Sequence, residues 1–142
     1  MSKIFFDANI LLDILLPGRA NHEKAKKAYI KICDEFDILS TSENILTTIE
    51  YIAVKNKTPC DIVVKFFYSL KSNFEIYNFT DILDEALILY SKACEDGKKI
   101  DFEDILQLEC AIYHNCDAFV TEDKNILKNV KDIKIYSLDD FL

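Results

Sequence analysis

Residues 3–17 read KIFFDANILLDILLP, and the change of pattern inside this stretch decides the fold. Lys3-Ile4-Phe5-Phe6 is a short β-prone apolar run, and Asp7 ends it. Residues 8–16 then read as a short helix, stopped by Pro17-Gly18. The same alternation continues along the chain. Helices are expected over about 20–35, with Ala25, Ala28, Tyr29, Ile32 and Cys33 on one face, and over 43–56, with Thr41-Ser42 as its cap. Another starts at Thr58-Pro59 with Ile62, Val63, Phe66, Phe67 and Leu70 as its core stripe. Thr80 opens one that Gly97 follows, and Asp101 opens the last, to about residue 114. Strands are expected at 37–40, 74–79, 118–121 and 133–136, and residues 137–142 form a terminal turn of helix. Short apolar strands alternating with helices indicate an α/β fold in which helices cover both faces of a parallel sheet.

The 142 residues suit one domain over 1–142, because two cores of half that length would each bury too little surface. Only two Gly and two Pro exclude collagen-like and linker-rich chains. No run free of Asp, Glu, Lys and Arg exceeds seven residues, whereas a membrane span needs about 20, so no membrane helix is expected. The N-terminus carries an acid inside its apolar run and does not read as a secretory signal. Five cysteines without a CxxC pair predict reduced thiols in a cytoplasmic protein and no structural zinc. The net charge of −8 argues against broad electrostatic wrapping of DNA. It still permits a nucleic-acid enzyme, since metal-binding carboxylates themselves supply negative charge.

Ligands of open α/β sheets bind beyond the carboxyl ends of the strands. Asp7 follows the first strand, and Thr121-Glu122-Asp123 follow the fourth, so a parallel sheet delivers both to one edge. Asp101 and Asp104 share a face in the first turn of a helix. Glu50 lies within a helix, between Leu46 and Ala53-Val54, where partial shielding is expected. Carboxylates gathered at one edge repel one another unless a cation neutralises them, and oxygen ligands select Mg²⁺ or Mn²⁺. Such an ion activates water and steadies a phosphoryl oxygen, the chemistry of phosphodiester hydrolysis. Each acid alone also has a structural explanation. Asp7 and Asp101 read as helix caps, with Asp104 at the capping-box position, Glu50 as a solvated helix residue and Asp123 as a turn acid. Only their joint placement points to a site. His22 and His114, each unaccompanied, read as incidental. Arg19, Lys24, Lys26 and Lys27 are the candidate positive groups for an RNA, or else a solvated helix face.

The segments FFDANILLD (5–13), TTIE (47–50), DFEDILQ (101–107) and VTED (120–123) resemble the acidic motifs of the PIN-domain family, and Asn21 to Ala28 resembles the second helix of VapC-like toxins. The resemblance implies a three-layer α/β/α fold around a mostly parallel sheet of four to five strands. It implies a Mg²⁺- or Mn²⁺-dependent endoribonuclease, the toxin of a toxin–antitoxin pair, with RNA as substrate, an antitoxin partner and a homodimer. On that mapping Asp7, Glu50, Asp104 and Asp123 are the catalytic acids and Asp7, Asp104 and Asp123 hold the metal. Asn9, Asp101 and Thr121 support them. Two positions depart from the pattern. Ala8 replaces a common Thr, and Glu122 adds negative charge where RNA must approach. The competing readings are a degenerate PIN-like protein-binding module, an aspartyl-nucleophile phosphatase and a phospho-receiver domain. The phosphatase wants a second Asp where Asn9 stands, and the receiver wants a lysine for which only Lys124 is loosely placed.

Overall fold

The computed structural model describes residues 1–123 and 132–142. The five strands are β1 (Lys3–Phe6), β2 (Ile38–Ser42), β3 (Phe74–Tyr77), β4 (Ala118–Val120) and β5 (Lys134–Tyr136). Every pairing is parallel and the spatial order is β3-β2-β1-β4-β5, so β1 is central and the order reverses on either side of it. Six α-helices lie among the described residues: α1 (Ala8–Leu15), α2 (His22–Glu35), α3 (Asn44–Lys55), α4 (Cys60–Asn73), α5 (Leu83–Glu95) and α6 (Phe102–Tyr113). They make a three-layer α/β/α fold. Short 3₁₀ turns at Thr80–Ile82 and Leu138–Phe141 complete the described residues. Lys124 lies outside them.

Alternation along β1 divides the core between the two faces of the sheet. Ile4 and Phe6 pack with Leu11, Leu12, Ala28, Ile32, Ile45 and Ile49 from α1, α2 and α3. Phe5 packs on the other face with Ile82, Ala86, Ile105, Cys110 and Phe119. Its ring stacks on Phe119, centroids 5.3 Å apart. Complete burial of such a ring contributes about 1.5–3 kcal/mol, so both faces of this four-residue strand are anchored.

Several boundaries differ from the expectations for identifiable reasons. Strand β2 runs to Ser42, so Thr41 and Ser42 are not caps of α3; both are fully buried. Thr41 instead donates to the Phe6 carbonyl at 3.0 Å, and Glu43 precedes α3 without a side-chain cap bond. Pro59 is the residue before α4 rather than its first helical residue. The helix expected from Thr80 begins as a 3₁₀ turn, and β3 ends at Tyr77, not Phe79. Gly97 does follow α5, with φ +67°, a left-handed conformation suited to glycine. All five cysteines are free. Among the described residues no helix is long and apolar enough to cross a membrane.

Candidate active site: an acidic edge beyond the central strands

Parallel register carries the chemistry to one edge. Phe5 pairs with Ser40 and Phe6 with Val120, so one and two residues further on Asp7 stands in a row with Thr121 and Ser42. The Asp7 N–H donates to the Val120 carbonyl at 3.1 Å, which continues the ladder past the end of β1. Asp7 shares the sheet face of Phe5, the face covered by α6.

Asp7 is both cap and site residue. It is 7% exposed, and one carboxylate oxygen accepts from the Ala8 N–H at 2.8 Å as the N-cap of α1. The other accepts from the Thr121 hydroxyl, also at 2.8 Å. The same hydroxyl accepts from the Asp123 N–H at 3.0 Å, so the fully buried Thr121 ties the strand-end acid to the loop acid. Burial raises the Asp7 pKa, and the Asp123 charge raises it further; the Thr121 and Ala8 hydrogen bonds oppose this without cancelling it.

Asp104 is the most perturbed of the acids. Burial pushes its carboxyl up to about 7, helped by the charge of Asp123, a hydrogen bond with it, and the charges of Asp7 and Asp101. A carboxyl raised this far gives up its proton readily when positive charge arrives, so Asp104 is suited to meeting a cation. Glu103, which sequence reasoning did not single out, is also raised, by burial and then by Asp101 and Asp7. Its place in the DFED segment was the available signal. Every charge that acts on Asp7, Glu103 and Asp104 among the described residues is negative.

Asp101 caps α6, its carboxylate accepting from the Glu103 N–H at 3.1 Å. Asp104 does not complete a capping box with it, because its side chain is engaged with Asp123. Asp101→Ala is expected to cost about 0.5–2 kcal/mol of stability and Asp101→Asn only a few tenths, as read from urea midpoints. Equal losses for Ala and Asn would remove the cap.

The other candidates make different contacts or face solvent. Glu50 is exposed on α3, not partly shielded, because Ile45, Ile49 and Ala53 take the inward face. It is not among the charges acting on Asp7 or Asp104. Asn9 is exposed and takes a long hydrogen bond, 3.5 Å, from Arg19. Arg19 is committed to the buried Asp13 at 2.6 Å rather than left open to RNA. Lys24 and Lys26 pair with Asp139 and Glu23 at 2.7 and 3.7 Å. Glu122 turns to the C-terminal turn, accepting from the Leu138 N–H at 2.7 Å. His22 bonds the Asp13 carbonyl, and His114 stacks on Tyr77.

A profile described as PIN domain matches residues 4–133. The chain is 28% identical over 144 residues to "Ribonuclease VapC1" of Aquifex aeolicus, spanning 98% of this chain and 92% of that protein. Among solved structures, DNA-bound VapBC from Salmonella typhimurium superposes with a TM-score of 0.74 at 14% identity, covering 97% of this chain and 99% of that one. Mycobacterium tuberculosis VapC20, described as a sarcin-ricin loop cleaving toxin, gives 0.71 at 14% identity, covering 87% and 92%.

Proposed function

The chain belongs to the PIN-domain family, and from that premise we propose that it is a Mg²⁺- or Mn²⁺-dependent endoribonuclease, the cytoplasmic toxin of a toxin–antitoxin pair. The observation that carries this reading is Asp104, held near neutrality by burial and by surrounding acids at the carboxyl edge of the sheet. The relative from Aquifex aeolicus, named as a ribonuclease, supports the reaction class. VapBC complexes among the similar folds support a protein antitoxin as partner. Apolar residues left exposed on α5, among them Leu87 and Ile88, support a homodimer.

The donors fit a hard cation: they are carboxylate oxygens, and the repulsion among them has no basic counterweight among the described residues. No three acidic, histidine or cysteine side chains among those residues are gathered closely enough to enclose an ion alone. Mg²⁺ does not require this, since it keeps several waters and uses one or two carboxylates. Asp7, Asp104 and Asp123 are the proposed ligands. When bound, the ion would lower the pKa of a water and stabilise a phosphoryl oxygen. Thr121 holds the Asp7 carboxylate in one orientation, and Asp104, its carboxyl pKa raised to about 7, would give up its proton to bind the ion. Glu103 and Asp101 add negative potential. Glu50, exposed on α3, is assigned no ligand position, and its notional catalytic role is tested by the variant below.

Incubation of the purified protein with single-stranded RNA tests the proposal. Cleavage is expected with Mn²⁺ or Mg²⁺, with loss in EDTA and recovery on adding excess metal. Cleavage undiminished by EDTA, or no cleavage with either ion, would sink the reading. Glu50→Gln is expected to change the rate less than about tenfold, whereas a direct ligand costs more.

A further inference from the structure

Among the described residues, a buried donor beside the acidic edge lacks an acceptor. Gln107 lies on α6 one helical turn after Asp104 and is 1% exposed. The Ser42 hydroxyl donates to its Oε1 at 2.8 Å and fixes the planar amide. Ser42 is fully buried and occupies the row position beside Asp7 on the adjacent strand. Gln107 thus bridges the helical turn that carries Asp104 and the strand end beside Asp7. Its Nε2 has no hydrogen-bond partner among the described residues. Buried side-chain amides are satisfied in nearly all native proteins, so an orphan donor points to an oxygen that occupies the position when the site is loaded.

We infer that Gln107 is a further positioning residue of the acidic site, its Nε2 donating to a water held beside Asp7 and Asp104. The inference rests on the proposed metal-dependent reading, in which the ion retains waters at this edge. Groups that bond to a metal's ligands or waters fix their orientation, and removing one typically costs about 10–100-fold in metal affinity or activity. Ser42 contributes by locking the amide. Without that bond the carboxamide could rotate and lose the water.

Gln107→Met keeps length and bulk while removing both amide groups. Removing the orphan donor offsets leaving the Ser42 hydroxyl without its acceptor, so the melting temperature without metal should stay close to that of the wild type. Mn²⁺ affinity by calorimetry should fall about tenfold and kcat on RNA about 10–100-fold, with KM within about twofold. Ser42→Ala should lose less, and adding it to Gln107→Met should cause no further loss in kcat. A purely structural bridge would instead lower the melting temperature and leave Mn²⁺ affinity and kcat unchanged, which overturns the inference. If the Met variant fails to fold, Gln107→Leu combined with Ser42→Ala removes the donor together with the hydroxyl that would lose its acceptor. Its kcat should fall similarly, and wild-type kcat would overturn the inference. A wild-type protein that binds no Mn²⁺ and cuts no RNA defeats the proposed function and this inference together. Normal wild-type behaviour with equally active variants defeats only the role of Gln107.

Discussion

Asp104→Asn is expected to lower metal-dependent RNA cleavage by at least about 100-fold while raising the melting temperature of the metal-free protein. Asn keeps the size of the side chain and removes the charge that would oppose a divalent cation. The stability gain follows from the sign of the shift. A carboxyl group raised to about 7 binds more protons folded than unfolded. Its contribution to stability is therefore fully present below about pH 4 and is lost as pH rises toward about 7. The Asn variant has no such loss. The two melting temperatures should coincide in acid and separate toward neutrality. Because Asp104 is only half-buried, solvent screening reduces the gap to about 1 kcal/mol, or about 3 °C. Mn²⁺ should stabilise the wild type at neutral pH and do little for the variant. An Asp104→Asn protein that still cuts RNA, beside an inactive Asp101→Asn, would reverse the two assignments. Activity in both would remove the central support for the ribonuclease reading.

Asp7→Asn is expected to weaken Mn²⁺ binding by at least about 100-fold in calorimetry and to leave the fold intact. Asn caps a helix about as well as Asp, so the bond from the Ala8 N–H survives. The amide nitrogen then faces the Thr121 hydroxyl, which accepts where it formerly donated. What disappears is a buried negative charge that its burial already disfavours. Melting without metal should hold or rise for that reason. A folded variant with wild-type Mn²⁺ affinity would take Asp7 out of the site.

Much of this architecture is written locally. The change from KIFF to ANILLDIL sets β1 against α1, and Asp7 between them stands at a strand end in the position of a helix cap. Alternation of short strands with helices also implied the parallel sheet, because consecutive parallel strands need a crossover connection. The N-cap of α6 was legible as well, since the bond from the Glu103 N–H to Asp101 spans two residues. Boundaries that depended on neighbours were not. Thr41-Ser42 has the composition of a cap, yet partners distant in sequence, the Phe6 carbonyl and Gln107, hold those hydroxyls inside the sheet layer.

The sequence by itself determined which residues end strands and which begin helices, and hence that Asp7, Thr121 and Asp123 would reach one edge. Those are short-range properties of backbone preference and apolar period. Only the tertiary structure decided which acids share a field. Glu50 and Asp104 both lie on amphipathic helices, but α3 turns Glu50 to solvent while α6 turns Asp104 toward Asp123 and the end of β1. The same packing placed Glu103 within reach of the Asp7 charge and set Gln107 against Ser42. Helical periodicity defines a face without naming what stands opposite it. Electrostatic repulsion, desolvation and hydrogen bonding depend on that opposite surface, which exists only once the helices have docked on the sheet.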